Sequence, residues 1–113
     1  MAAGFQEGDI KAGLANGGRI LNALVVCRTT DDGFEHVPYL RASWCRGFRP
    51  LRTWADRGDR TYRDLNRLVS LVREDFGYSG YIILFKAGDA GLARYAAIAP
   101  HDRVVEPPDT STD

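Results

Sequence analysis

The chain has 113 residues, which fits a single domain that can bury a core without metal or disulfide support. Its composition, 44% hydrophobic and 27% charged, is that of an ordinary globular protein. The N-terminus lacks a basic segment followed by an apolar one, and the longest apolar run, residues 23–27, is too short to span a bilayer. We therefore expect a cytoplasmic protein with no membrane partner.

The net charge of zero hides a strong separation of charge along the chain. Residues 41–73 contain nine arginines and three aspartates, a formal charge of +6, and the rest of the chain carries −6. Both tryptophans, Trp44 and Trp54, also lie in this segment. Such a separation of charge bears on binding partners and favours an anionic one.

The first half of the chain reads as a loosely ordered arm followed by a β-hairpin. Residues 1–18 form the expected arm, which ends in a glycine-rich turn. Residues 20–27 are apolar on both faces, a pattern typical of a strand buried on both sides. The pair Asp32-Gly33 predicts a hairpin turn into a second strand over residues 35–45.

A third strand is expected over residues 48–54, after a two-residue turn at Arg46-Gly47. Pro50 has no backbone N–H to donate, so we place this strand at the edge of the sheet. The two-residue turn puts Arg41 opposite Arg52, a like-charge pair that an anion between them would relieve. Alternation then assigns one face to the core and leaves the other exposed. The core face holds Leu40, Ala42, Trp44, Leu51 and Thr53, and the exposed face holds Tyr39, Arg41, Cys45, Phe48, Arg52 and Trp54.

The second half predicts helices around one more strand. A capping box from Thr61 to Asp64 begins a helix over residues 61–76, with Gly77 as the residue after its end. Residues 81–85 again read as a strand buried on both faces. Asp89 is expected to cap a second helix over residues 90–99, which Pro100 stops. A short edge strand at 103–105 and an acidic, disordered tail at 106–113 complete the chain.

These elements predict an α+β domain, with a mixed α/β arrangement as the alternative. The sheet has four to five strands led by a β-hairpin, together with two helices, in the approximate order β-β-β-α-β-α with a last short β. The expected units are the arm at 1–18, one globular domain at 19–105 and the tail at 106–113.

The arginines and aromatic side chains between residues 39 and 73 favour a small, non-enzymatic module that binds an anionic ligand, with nucleic acid as the first candidate. Arginine binds phosphate bidentately, and aromatic rings stack on unpaired bases. A helix start that gathers Arg60, Arg63 and Arg67 adds a candidate anion site. The predicted ligand-binding residues are Tyr39, Arg41, Phe48, Arg49, Arg52, Trp54, Arg60, Arg63 and Arg67.

The alternative is a protein-binding module that docks on an acidic partner, such as an inhibitor encoded by a phage or plasmid. Trp, Tyr and Arg dominate the energetically important residues of such interfaces. The oligomeric state is not predicted, and an unpaired strand edge is a potential site for dimerisation.

Catalysis has weak support in the sequence. Cys27, Cys45, His36 and His101 match no zinc spacing, and a Cys–His pair or the acids Glu74 and Asp89 are weaker candidates for chemistry. We therefore expect no cofactor, no metal site and no catalytic residue, and free thiols rather than a disulfide.

Overall fold

The computed structural model of the protein describes residues 4–52 and 60–94. Its sheet has four strands in the order β3-β2-β1-β4. This mixed sheet, with two helices, confirms the α+β fold class. In chain order the elements are α1 (Glu7–Ala15), β1 (Ile20–Thr30), β2 (Gly33–Ala42), β3 (Phe48–Pro50), α2 (Leu65–Ser70, continued by a π-helical turn over Leu71–Asp75), β4 (Ile82–Lys86) and a 3-10 helix (Ala90–Arg94).

A long β1–β2 hairpin forms the centre of the sheet. The two strands pair antiparallel from Thr30 opposite Gly33 back to Ile20 opposite Ala42, and β4 runs parallel to β1 on the other side. Gly33 adopts a φ of +128° just after the turn at Asp31 and Asp32, a conformation that favours glycine. The hairpin predicted at this position is confirmed.

Strand alternation divides the core into one layer on each side of the sheet. On the first side, Ala23, Val25 and Leu40 pack against residues of α1 and α2 such as Ile10 and Leu68. The second layer is smaller and consists of Leu24, Val26, Val37, Tyr39 and Leu92. The sheet is therefore buried at its centre from both sides, as the apolar sequence of β1 predicts.

Residues 4–18 contain a helix that the sequence analysis did not predict. Residues 1–18 were expected to form a loose arm, but Glu7–Ala15 is a helix whose Ile10 is fully buried. Phe5 is also buried, and its backbone N–H donates to Pro50 O at 2.8 Å. Two glycines within α1 lower its intrinsic helix propensity, so packing against the core is what holds it.

The main helix begins four residues later than the capping box predicts. Asp64 is the N-cap, since its Oδ1 accepts from Asn66 N at 2.9 Å. Tyr62 is extended and pairs antiparallel with His36, through N–H to O distances of 2.8 and 2.9 Å. Gly77 follows the helical run with a φ of +67°, which confirms its predicted place.

The last strand and the second helix also differ from expectation. β4 was predicted to be buried on both faces, but it lies at the edge of the described sheet and exposes Ile83 and Leu84. Asp89 caps the following turn as predicted, because its Oδ1 accepts from Gly91 N at 2.7 Å. Only the 3-10 helix Ala90–Arg94 is described there, so the rest of that predicted helix, the strand at 103–105 and the tail lie outside the described residues.

Candidate anion-binding site

The predicted pairing of Arg41 with Arg52 is wrong. Arg41 lies opposite Phe48, four residues from the predicted partner, and Tyr39 lies opposite Pro50. The connection is a five-residue loop, 43–47, rather than a two-residue turn. The loop begins just after β2 at Ser43, which exchanges hydrogen bonds with Arg19: Ser43 N donates to Arg19 O at 2.9 Å, and Arg19 N donates to Ser43 Oγ at 3.0 Å. An even shift keeps each residue on its predicted side of the sheet, which is why Leu40, Ala42 and Leu51 still share the core.

Three aromatic assignments change with the structure. Tyr39 was predicted to stack on a ligand, but it is fully buried in the second core layer. Trp44 was predicted to be core, but it is 37% exposed in the loop after β2. Phe48 is partly buried beside that second layer, and Trp54 lies outside the described residues. Arg41 is held within the sheet, where its Nε donates to Asn22 Oδ1 at 2.7 Å.

Five of the predicted arginines lie on two chain segments that backbone hydrogen bonds join, and we call this set the arginine strip: Arg49, Arg52, Arg60, Arg63 and Arg67. The Arg49 guanidinium lies 5.9 Å from the centroid of the Phe5 ring, and Arg52 N donates to Phe5 O at 2.7 Å. Arg60 N donates to Leu51 O at 2.8 Å, which joins the chain before α2 to the end of this edge. The strip thus follows the β3 edge of the sheet and continues to the start of α2.

At the α2 end, Arg60, Tyr62 and Arg67 line two adjoining open grooves of about 480 and 340 Å³. Arg60 lies 5.2 Å above the centroid of the Tyr62 ring and 3.3 Å from Glu7 Oε1. Among the described residues, Arg67 forms no ion pair, although it is exposed. The sequence analysis placed this anion site at the start of a long helix. The α-helical part of α2 is only six residues long, so the arginines rather than a helix dipole supply the positive charge.

Arg63 adds a further cation beside these grooves. Its Nη2 lies 3.2 Å from Asp32 Oδ2 at the tip of the β1–β2 hairpin, and both side chains are largely exposed. An exposed pair of this kind contributes only about 0–1 kcal/mol. Asp32 therefore orients Arg63 without binding it tightly.

Tyr62 lies at the centre of this end of the strip. Its hydroxyl oxygen is buried and has no hydrogen-bond partner among the described residues. Burial raises the pKa of the Tyr62 phenol, and the nearby Arg60 lowers it to a smaller extent. Tyr62 therefore stays neutral near neutral pH, and its ring serves as a platform for the Arg60 guanidinium.

The other end of the strip has an open cavity of about 680 Å³ lined by Phe5, Trp44 and Arg49, with polar groups from α1. The Trp44 ring lies 6.1 Å from the Phe5 ring. It also lies directly against Gly13 and Gly18, where any added Cβ would come within 2.4 Å and 2.3 Å of the indole. Trp44 thus packs against Phe5 and α1, on the same side as Leu40 and Ala42, and it is partly exposed because it lies in the loop beyond the last residue of β2.

Of the residues considered for catalysis, His101 lies outside the described part of the chain. His36 is buried, and its Nδ1 lies 2.8 Å from Tyr62 O. Cys27 and Cys45 are free thiols. Within residues 4–52 and 60–94, no three His, Cys, Asp or Glu side chains are grouped to hold a metal ion.

Comparison with protein-family models, with curated proteins and with solved structures finds no match for this chain. In the part of the chain that the structure describes, no helix is both long enough and apolar enough to cross a membrane.

Proposed function

We propose that the protein binds single-stranded nucleic acid along the arginine strip. The observation that carries this proposal is the cluster of Arg60, Arg63 and Arg67 around two open grooves, on a segment that is bonded to the β3 edge, where Arg49 and a partly exposed indole, Trp44, line a further cavity. Phosphates of the backbone would bind the guanidinium groups, which match their geometry bidentately. Unpaired bases would stack on Trp44, a contact worth about 1–3 kcal/mol per base.

The extent of the strip favours a polyanion over a small anion. One cavity lies beside Trp44 and Arg49, and the two grooves lie beside Arg60, Arg63 and Arg67 at the other end. A single phosphate would fill one of these sites and leave the others empty. A flexible strand with a charge at every nucleotide can occupy both ends together.

The acidic neighbours of the strip do not block such a ligand. Glu7 pairs with Arg60 and Asp32 with Arg63, both in partly or largely exposed positions. Because exposed ion pairs contribute only about 0–1 kcal/mol, a phosphate can replace these carboxylates at small cost. Arg67 needs no such exchange, since it has no ion pair within the described residues.

The test compares two double variants that remove the same amount of charge. R63A/R67A removes two arginines of the strip, and K11A/K86A removes two exposed cations that line neither its cavity nor its grooves. Fluorescence anisotropy with a labelled single-stranded oligonucleotide should show at least about a tenfold loss of affinity, near 1.4 kcal/mol, for R63A/R67A. K11A/K86A should bind almost as the natural sequence does. Equal losses in both variants would show that the affinity depends only on the overall charge of the protein, and would reject the strip as the binding site.

A second candidate is binding to an acidic protein surface. The contacts of Arg60 with Glu7 and of Arg63 with Asp32 favour it, because these arginines already bind carboxylates within the chain. Affinity capture from lysate with and without nuclease separates the two functions. Recovery that nuclease abolishes supports nucleic acid, and a stoichiometric protein that survives nuclease treatment and is lost with R63A/R67A supports the acidic partner.

A further inference from the structure

The cavity at the Trp44 end of the arginine strip is lined by side chains of both charges. Its volume of about 680 Å³ is within the range of about 300–1,000 Å³ that is usual for small-molecule sites. Asp9 and Arg49 both line it, yet no ion pair joins them, and neither forms an ion pair with any other residue that the structure describes. The cavity thus offers one ligand a hydrogen-bond acceptor and a cation together.

The Asp9 carboxylate is held in place and still has acceptor capacity. Its Oδ2 accepts from Gln6 N at 2.9 Å, which ties the side chain to the start of α1. Its Oδ1 accepts no hydrogen bond within residues 4–52 and 60–94. An ionised carboxylate has about four acceptor sites, so most of them remain for a ligand. Because a carboxylate repels phosphate, its place beside the strip favours a ligand that also carries hydrogen-bond donors.

Two aromatic rings complete the lining of the cavity. The Trp44 indole is 37% exposed, and its ring centroid lies 6.1 Å from that of Phe5, with the two rings tilted by 58°. The Arg49 guanidinium lies 5.9 Å from the Phe5 centroid, which holds the cation beside these rings. A planar, unpaired base can stack on the exposed part of the indole while its phosphate binds Arg49.

The bases differ in what they present to a carboxylate. Guanine is the base whose Watson–Crick edge carries two adjacent donor groups, N1–H and the N2 amino group, and both can donate to carboxylate oxygens. Adenine and cytosine present an amino group next to an acceptor nitrogen. Thymine and uracil present one N–H between two carbonyl oxygens. In these bases an acceptor would lie against the negative charge of Asp9, so the cavity favours guanine.

We propose that this cavity binds a guanine nucleotide of the strand, with the base edge donating to Asp9, the base stacked on Trp44 and a phosphate on Arg49. The inference rests on the proposed function, since it takes the ligand to be a nucleotide. It adds a sequence preference, which phosphate contacts with the arginine strip do not supply by themselves. Asp9 is therefore the residue that determines specificity.

Mononucleotides test the cavity by itself. NMR titrations of the full chain with guanosine, inosine and adenosine monophosphate would follow the indole N–H signal of Trp44, which a Trp44→Phe variant identifies. Guanosine monophosphate should bind at least about tenfold more tightly than adenosine monophosphate. Inosine monophosphate, which lacks the N2 amino group, should lie between them. Equal affinities for the three nucleotides, or no shift of the Trp44 signal with any of them, would overturn the proposal.

Two variants that each remove one negative charge test the role of Asp9. In Asp9→Asn, the amide oxygen can still accept from Gln6 N, but the amide N–H groups would meet the donors of guanine, so the preference for guanosine monophosphate should disappear. Glu74→Gln is the matched control, because Glu74 is exposed and lines neither the cavity nor the two grooves. It should keep the full preference. Circular dichroism establishes that both variants are folded, and an unchanged preference in Asp9→Asn would contradict the assignment.

Oligonucleotides separate this inference from the proposed function. Anisotropy titrations would compare labelled oligo-dT with an oligonucleotide of the same length that has guanine at one central position. The guanine-containing strand should bind at least about tenfold more tightly to the natural sequence. Equal binding of both strands would reject the guanine cavity and leave the arginine strip as a binding site. Binding of guanosine monophosphate without binding of either strand would support the cavity and reject the strip.

Discussion

Tyr62 connects the core to the arginine strip, and its backbone, ring and hydroxyl group have different surroundings. The backbone is fixed by the two hydrogen bonds with His36, and the ring supports the Arg60 guanidinium. The hydroxyl group contributes neither of these contacts and is buried without a partner among the described residues. A buried hydroxyl group without a hydrogen bond lowers stability, by about 1–3 kcal/mol in general.

Tyr62→Phe should therefore raise the free energy of unfolding, by about 1 kcal/mol, since it removes the unsatisfied hydroxyl group and keeps the ring. Tyr78→Phe is the matched control, because the Tyr78 hydroxyl group donates to Tyr81 O at 2.7 Å. That variant should lose about 1 kcal/mol. Urea denaturation measures both, and a loss of stability in Tyr62→Phe as large as in Tyr78→Phe would show that the Tyr62 hydroxyl group is satisfied.

The raised pKa of Tyr62 also makes stability depend on pH at the alkaline end. Burial, the main cause of the shift, favours the neutral phenol in the folded state, so the unfolded chain releases this proton at lower pH. The contribution is fully present below the unfolded pKa, about 10, and is lost as pH rises through the folded pKa. The free energy of unfolding should therefore fall more steeply above about pH 10 in the natural sequence than in Tyr62→Phe. Parallel curves for the two proteins would contradict the shift.

At the scale of elements, α1 is held to the domain partly through Trp44. The indole lies against Gly13 in the helix and Gly18 just after it, so both positions need a residue without a Cβ. Gly8 lies in the same helix, but an added Cβ there would meet nothing within 4 Å. The two helical glycines therefore differ in packing while sharing the same low helix propensity.

Gly8→Ala should stabilise the protein by up to about 1 kcal/mol, because alanine is the better helix former. Gly13→Ala should lower stability in spite of the same gain, since the added methyl group would displace the Trp44 ring from α1. Thermal unfolding followed by circular dichroism compares the two variants. A Gly13→Ala variant that is as stable as Gly8→Ala would contradict the close packing of Trp44 against α1.

The same elements show what the sequence can predict. The apolar pattern and Asp32-Gly33 were sufficient for the central hairpin, and Pro50 correctly placed β3 at an edge. The pairing register depended on the length of the loop after β2. That length follows from the hydrogen bonds of Ser43 with Arg19, a contact between residues 24 positions apart that no local pattern reveals.

The predicted site residues also divide into those that the sequence placed correctly and those that it did not. Arg60, Arg63 and Arg67 lie together as expected, because they are close in sequence around the start of α2. Tyr39 is buried because a second core layer covers its side of the sheet, and Trp44 is partly exposed because it lies in the loop after β2. The apolar sequence of residues 81–85 also gave no sign that β4 lies at an edge, because a buried strand and an exposed apolar edge strand have the same composition.

At the scale of the whole molecule, the two edges of the described sheet differ in character. The arginine strip follows the β3 side, whereas β4, whose one charged residue is Lys86, lies at the other edge and exposes Ile83 and Leu84. The proposed function uses the charged side, since phosphates bind guanidinium groups rather than an apolar surface.

The central claim is that the arginine strip binds a polyanion, and the salt dependence of binding tests it most directly. Anisotropy titrations with a labelled single-stranded oligonucleotide would compare affinities at about 50 and 200 mM salt. If all five arginines contact phosphates, the affinity should fall about 100-fold over this range, from a slope near −0.7 per phosphate contact. R63A/R67A should show a shallower slope. An affinity that does not change with salt, or no binding at about 50 mM salt, would contradict the account.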